Sequence, residues 1–293
     1  MPPGSPGSPD ASDASGGAPD RPASPAALAL AALTLDRWRS FDPATARRVA
    51  DEAAHLVHGR LIGVETVEHL GGPLHRARIE RDGQEFALIP GGRVTLGFDP
   101  ETWRPTAEQA ADYAAGQEQG FGYGADLREH LARMLSPRRT VVLDTVLMAV
   151  EGEPLTEPPA DMPAVLAARG LRMPSSDEWE HACGAGSGTL FRWGDDCPLD
   201  RIPYGDRTGP HNEPNAFGLR IAHDTYSAEI TGDTTEVRGG DGGESVCGGY
   251  GHLLAWLPLA TAHIHPDMAE FVYGEDGDDL YEDFTVRPVL AFP

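Results

Sequence analysis

LRMPSSDEWEHAC, at residues 171–183, is the stretch on which the fold of the second half of the chain depends. Ser175 and Glu178 have the spacing of a capping box, in which each side chain accepts a hydrogen bond from the backbone N–H of the other residue. A helix that begins there places Trp179 and Cys183 one turn apart on the same apolar face. The stretch therefore predicts a capped helix whose inner face is buried.

Short strands and turns precede this helix. Between residues 61 and 98, runs rich in Val, Ile and Thr are interrupted by three glycine-containing turns, which predicts an antiparallel meander. Residues 140–150 read TVVLDTVLMAV and predict one buried strand. After Cys183 the chain is rich in Gly, Asp, Pro and Asn to about residue 252, which predicts a long loop-rich stretch. Short strands with few helices are typical of an α+β fold.

The N-terminal region divides into two parts. Residues 1–25 are almost entirely Pro, Gly, Ser, Ala and Asp, a composition that buries too little apolar surface to order the backbone, so we predict a disordered leader. Asp42 and Pro43 suit a helix cap and a first helical position, and they predict a helix of about four turns. We expect residues 26–60 to form an N-terminal helical segment and residues 61–293 to form the main domain.

Charge and composition exclude several classes of function. The chain has 46 acidic and 23 basic residues, which give a net charge of -23. This charge repels phosphate backbones and anionic membranes, so we expect no nucleic-acid partner and no membrane partner. All the basic residues are arginines, which excludes Schiff-base chemistry at a lysine. Only three cysteines are present, which favours a reducing, cytoplasmic setting and leaves a disulfide between Cys183 and Cys197 open.

Five short motifs occur in the order in which they occur in formylglycine-generating-enzyme (sulfatase-modifying-factor) domains, and they resemble the motifs of that family. They are IPGGRVTLG (89–97), LRMPSSDEWEHAC (171–183), FRWGD (191–195), NAFGL (215–219) and FTVRPVL (284–290). The resemblance covers roughly residues 85–293. It implies a loop-rich, C-type-lectin-like α+β domain with short antiparallel strands and a few helices, which agrees with the strand and loop pattern described above.

The same resemblance implies a reactive metal site. In formylglycine-generating enzymes, two cysteines spaced C-x4-C in a glycine-rich segment bind copper(I), an ion that soft thiolates select. In GGESVCGGYGH at residues 242–252, the first position is Cys247 and the second is His252. We therefore expect Cys247 and His252 to be both the catalytic residues and the metal ligands. A Cys/His pair is a harder donor set than two thiolates, so the cofactor is expected to be copper or another transition metal, such as zinc or iron.

Two further groups of residues are alternative metal ligands. His263, His265 and Glu270 form the pattern H-x-H-x4-E, which suits iron or manganese if both imidazoles lie on one strand face. Asp224 and Glu229 lie where the family has calcium ligands, and they predict a calcium site if carbonyl oxygens complete the coordination. The same spacings also fit exposed histidines and solvated carboxylates, so the sequence leaves both readings open.

Three functions therefore remain open. The first is a metal- and O2-dependent oxidoreductase of the formylglycine-generating type, which acts on a thiol in a peptide or a small molecule. The second is a non-catalytic, C-type-lectin-like binding module, because scaffolds of this kind present ligands on long loops without catalysing a reaction. The third is a regulatory pseudoenzyme whose protein partner is an active enzyme.

Overall fold

The computed structural model describes residues 24–118, 124–274 and 283–293, and its mixed architecture confirms the predicted α+β class. The predicted disordered leader lies outside the described residues except for its last two positions. The described helices are α1 (Pro25–Ala31), α2 (Leu35–Ser40), α3 (Pro43–Leu56), α4 (Ala107–Glu118), α5 (Leu127–Met134), α6 (Met162–Ala168), α7 (Ser176–Gly184), α8 (Glu244–Cys247), α9 (His252–Trp256) and α10 (Pro266–Tyr273). None of these described helices has the length and apolar character needed to cross a membrane.

The described strands are β1 (Arg60–His69), β2 (Gly72–Arg81), β3 (Gln84–Ile89), β4 (Gly92–Leu96), β5 (Arg139–Leu143), β6 (Val146–Ala149), β7 (Glu153–Pro154), β8 (Glu229–Ile230), β9 (Thr285–Val286) and β10 (Val289–Ala291). The largest sheet is antiparallel and has the order β1-β2-β3-β6-β10. The predicted meander is confirmed for β1, β2 and β3, whose turns contain Gly71 and Gly83 at φ 72° and 83°. Strand β4 leaves the meander and pairs with β5.

The prediction of a single buried strand at residues 140–150 is wrong. The structure has two strands there, β5 and β6, and they belong to different sheets. The chain turns at Thr145, whose hydroxyl donates to the carbonyl of Leu33 at 3.0 Å and accepts from the N–H of Gly91 at 3.1 Å. These partners lie far from Thr145 in the sequence, so the local pattern of apolar residues does not show that the chain turns between β5 and β6.

Three helices precede the sheet, where the sequence predicts one. The predicted helix is α3, and its start is confirmed because the Asp42 carboxylate accepts hydrogen bonds from the N–H groups of Ala44 and Thr45. On α2, Trp38 is fully buried, and its Nε1 donates to the His75 carbonyl of β2 at 2.8 Å. The buried faces of α2 and α3 belong to the same hydrophobic core as the sheet.

The predicted capped helix is confirmed as α7. Ser175 Oγ accepts from the Glu178 N–H at 3.1 Å, and Glu178 Oε2 accepts from the Ser175 N–H at 2.8 Å. Both Trp179 and Cys183 are fully buried on the inner face of α7. Trp179 also donates from Nε1 to the carboxylate of Glu229 at 2.8 Å, which ties α7 to β8.

A buried ion pair connects β8 to the residues that separate β9 from β10. Arg287 is fully buried and Glu229 is 4% exposed, and the guanidinium donates to both carboxylate oxygens at 2.6 and 3.0 Å. The same guanidinium donates to the carbonyls of Ala149, Val150 and Arg220. One arginine therefore joins the central sheet, the small sheet and a loop.

Candidate functional site

The glycine-rich segment at residues 242–252 contains the short helix α8, the turn that follows it and the first residue of the short helix α9. The carboxylate of Asp241 accepts hydrogen bonds from the N–H groups of Gly243 and Ser245 at 2.8 and 2.9 Å, which fixes the start of α8. Cys247 is the last residue of α8 and His252 is the first residue of α9. The two predicted site residues therefore lie on either side of one short turn.

Cys247 has an exposed thiol that contacts an aromatic pair. Its Sγ lies 3.0 Å from the hydroxyl of Tyr226, and the ring of Tyr204 packs against Tyr226 with the centroids 4.8 Å apart. The hydrogen bond with the Cys247 sulfur raises the pKa of Tyr226 to about 12. The phenol therefore keeps its proton at neutral pH and can donate a hydrogen bond to the Cys247 sulfur. Gly243 makes this packing possible, because a Cβ at that position would overlap the Tyr226 ring.

The other two cysteines are unsuited to thiolate chemistry. Cys183 and Cys197 are free thiols, so the disulfide that the sequence left open is not formed. Burial raises the pKa of each thiol to about 12, and the negative charges of Asp112 and Asp196 add to this effect at Cys197. Both thiols stay protonated at neutral pH, and Cys247 is the cysteine with an exposed side chain.

His252 is oriented by a carboxylate from a distant helix. Its Nδ1 lies 3.0 Å from Oδ1 of Asp112 on α4, and Oδ2 of Asp112 accepts from the N–H of Leu253 at 2.8 Å. A carboxylate that accepts from Nδ1–H fixes the orientation of the ring and leaves the Nε2 lone pair for a metal ion or a proton donor. Sequence reasoning missed Asp112 because 140 residues separate it from His252 and no spacing links α4 to α9.

Comparison with known proteins adds nothing to these observations. The chain matches no protein-family model and no curated protein. The family resemblance therefore depends on the five sequence motifs alone. Cys247 and His252 have separate hydrogen-bond partners, Tyr226 and Asp112, and a metal shared between the two stays a prediction.

The structure brings together two of the three residues of the H-x-H-x4-E pattern. The rings of His263 and His265 lie 6.1 Å apart between centroids, whereas Glu270 is exposed on α10. The carboxylate nearest to His265 is that of Glu244, with Oε2 3.4 Å from Nε2. In the described part of the chain, no group of three or more His, Cys, Asp or Glu side chains is placed to hold a metal ion. Sequence reasoning missed Glu244 as the partner of His265.

The buried imidazole of His263 should make stability depend on pH. Burial, together with the neighbouring His265, Arg238 and His130, lowers the pKa of His263 well below 6.5. As the pH falls through 6.5, the unfolded chain takes up a proton at His263 and the folded chain does not. The free energy of unfolding therefore keeps its full value above that pH, as far as His263 is concerned, and decreases below it. We expect this residue to contribute a loss of about 1.4 kcal/mol per pH unit.

Urea unfolding between about pH 7.5 and about pH 5.5 measures this dependence. The His263→Gln variant should show a shallower decrease in stability than the wild type. The control is His55→Gln, at an exposed position on α3, which should keep the wild-type slope. Equal slopes in the wild type and in His263→Gln would contradict the prediction.

The two predicted calcium ligands have other partners. Both oxygens of Glu229 are bonded to Arg287, and one of them also accepts from Trp179. Asp224 is exposed, and its Oδ1 accepts from the N–H of Tyr226 at 3.0 Å. A calcium ion at Glu229 would have to displace the guanidinium of Arg287 and leave that charge buried without compensation, which is costly. The calcium site stays a prediction that this pairing disfavours.

Proposed function

We propose that this chain is a divergent formylglycine-generating-enzyme-like oxidoreductase, which uses a transition metal and dioxygen to oxidise a thiol in a peptide or a small molecule. One arrangement carries the proposal: the exposed thiol of Cys247, bonded to the Tyr226 phenol, and the imidazole of His252, oriented by Asp112, flank the same turn. A thiol and an imidazole are donor groups with which a transition metal could be held beside a substrate thiol.

The donor atoms fit a metal site with two protein ligands. Copper(I) favours soft ligands such as thiolate and also accepts imidazole, and Cys247 and His252 supply one of each. The bond from Asp112 to Nδ1 leaves Nε2 of His252 as the donor nitrogen. Since the described residues contain no group of three or more metal-binding side chains, the substrate thiol or water would complete the coordination.

Each residue of the site has a role that follows from its contacts. Bound metal would supply the means to activate dioxygen next to the substrate sulfur. The Tyr226 phenol retains its proton at neutral pH and can donate a hydrogen bond to the Cys247 sulfur. Tyr226 also lines a cavity of about 560 Å³ together with Met268 and Phe271, but neither Cys247 nor His252 lines it.

Metal analysis of the purified chain tests this proposal. We expect protein prepared without added metal to contain copper or another transition metal in stoichiometric amount, and Cys247→Ser to lose it because a hydroxyl is a poor ligand for a soft ion. His252→Ala should also lose metal. Asp112→Asn should bind it about 10 to 100 times more weakly, since the orienting carboxylate is removed.

Cysteine and histidine variants outside the site serve as controls. Cys183→Ser and His55→Ala should keep the wild-type metal content, because Cys183 is buried on the inner face of α7 and His55 is exposed on α3. The protein should consume oxygen when a cysteine-containing peptide is added, and Cys247→Ser should lose this activity together with its metal. Full retention of metal by Cys247→Ser would overturn the proposed site.

The second candidate is a non-catalytic binding module or a regulatory pseudoenzyme. Two observations favour it. The described residues contain no group of three or more side chains placed to hold a metal ion, and the carboxylate of Glu229 is already paired with Arg287. This candidate predicts no oxygen uptake by the copper-loaded protein and, for a regulatory role, co-purification with a second chain. Oxygen uptake that requires Cys247 would exclude it.

A further inference from the structure

The cavity of about 560 Å³ lies between the loop at residues 224–227, helix α10 and the residues that lead into β9. Its volume is within the range of roughly 300 to 1,000 Å³ that is typical of pockets for small organic molecules. Hydrogen bonds hold its walls in place. Nδ1 of His265 accepts from the Met268 N–H at 3.1 Å at the start of α10, and the Phe284 carbonyl accepts from the Leu155 N–H at 3.1 Å.

Apolar and aromatic residues form much of the lining. Met268 and Phe271 lie one turn apart on α10, and Tyr226 and Phe284 line the cavity from the two other walls. Phe271 is 37% exposed, whereas Phe284 is 5% exposed, so apolar surface at this cavity is still in contact with water. An apolar ligand group that covers Phe271 would remove this surface from water, which favours binding.

The charges at this cavity are negative. Among the described residues that line it, the charged side chains are the carboxylates of Asp224 and Asp283, and both residues are exposed. Asp224 also interacts with the imidazoles of His211 and His223. Burial lowers the pKa of both rings, so they are mainly uncharged at neutral pH and do not offset the charge of Asp224. The cavity therefore attracts cations, and the net charge of -23 on the chain adds to this attraction.

We propose that this cavity binds a small organic amine with one ammonium group on an apolar body, of which 2-phenylethylamine is the probe. The apolar body covers Met268 and Phe271, and the ammonium is attracted by the carboxylates of Asp224 and Asp283. This attraction is not directional, so it requires no fixed spacing between the two carboxylates. An ammonium also interacts favourably with the face of an aromatic ring. The proposal does not depend on the function proposed for Cys247, which does not line this cavity.

Calorimetric titration of the full chain with four matched compounds tests the proposal. 2-Phenylethylamine should bind one molecule per chain. 2-Phenylethanol lacks the charge, 3-phenylpropanoate has the opposite charge and ethylamine lacks the ring, so each should bind at least about 5 times more weakly. Raising NaCl from about 0.05 to about 0.5 M should weaken the binding of the amine and change that of the alcohol little, because salt screens charges. Absence of saturable amine binding, equal binding of the amine and the alcohol, or equal binding of 2-phenylethylamine and ethylamine would overturn the proposal.

Variants of exposed lining residues assign the binding to this cavity. Asp224→Asn keeps the side-chain oxygen that accepts from the Tyr226 N–H, and the double variant with Asp283→Asn should bind the amine about 5 times more weakly. Phe271→Ala should weaken the binding of both the amine and the alcohol at least about 5-fold. Asp267→Asn removes an exposed carboxylate on α10 outside the lining and should keep the wild-type affinity. Thermal unfolding without ligand establishes that each variant is folded. Amine binding that both the double variant and Phe271→Ala leave unchanged would refute the assignment.

Discussion

Replacement of Arg287 with leucine is expected to destabilise the protein by about 3–5 kcal/mol, because Glu229 would then hold an uncompensated negative charge in the core. Arg287 is fully buried and donates to both oxygens of Glu229. Its bonds to the carbonyls of Ala149 and Val150 would also be lost. The free energy of unfolding, measured by urea denaturation, gives the size of the loss.

A double-mutant cycle separates the ion pair from the packing of the side chain. Glu229→Gln alone should also destabilise, but the double variant should be less destabilised than the sum of the two single variants, since no charge is left buried. The control is Arg48→Ala, which removes an exposed ion pair with Glu52 on α3 and should cost no more than about 0.5 kcal/mol. An effect of Arg287→Leu as small as that of Arg48→Ala would contradict the prediction.

Replacement of Gly97 with alanine is the second substitution for which we expect a large loss, about 3 kcal/mol. Gly97 has φ 83°, a left-handed conformation that costs other residues about 1–2 kcal/mol. A Cβ there would also overlap the Pro137 carbonyl oxygen and would lie 2.6 Å from the backbone nitrogen of Arg138, so the backbone would have to move, at a further cost of about 1–3 kcal/mol. Thermal and urea unfolding measure the effect.

Gly63 provides the matched control for this substitution. It lies in β1 with no atom within 4 Å of a Cβ built at that position, and its φ is not positive. Gly63→Ala should therefore be neutral or stabilise the protein by up to about 1 kcal/mol, because alanine reduces the conformational freedom of the unfolded chain. If Gly97→Ala and Gly63→Ala had the same stability, the proposed overlap at Gly97 would be refuted.

The parts of the fold that could be predicted from the sequence depend on residues close together in the chain. The capping box of Ser175 and Glu178 and the cap at Asp42 are local patterns, and both helices begin where those patterns place them. The hairpins of the first three strands follow from their glycine turns for the same reason. The break at Thr145 could not be predicted, because it depends on partners at Leu33 and Gly91.

The candidate site shows the same division. Cys247 and His252 were predicted from a local resemblance, and the exposure of the Cys247 thiol agrees with a reactive role. Their partners were not predicted, because Tyr226 and Asp112 reach the site through tertiary packing of loops and helices. The alternative ligand Glu229 was proposed from its position in a motif, but its neighbour Arg287 is 58 residues away, and no sequence pattern relates the two.

The order of the central sheet has a consequence for synthesis on the ribosome. Val289 of β10 lies opposite Met148 of β6, so one edge of β6 stays open until the residues after Thr285 have emerged. Until then the nascent chain carries both an unpaired strand edge and a glutamate without its arginine, and each of these favours contacts with other chains. Synthesis of the segment that contains Arg287 and β10 therefore closes this edge of β6 and pairs the charge of Glu229.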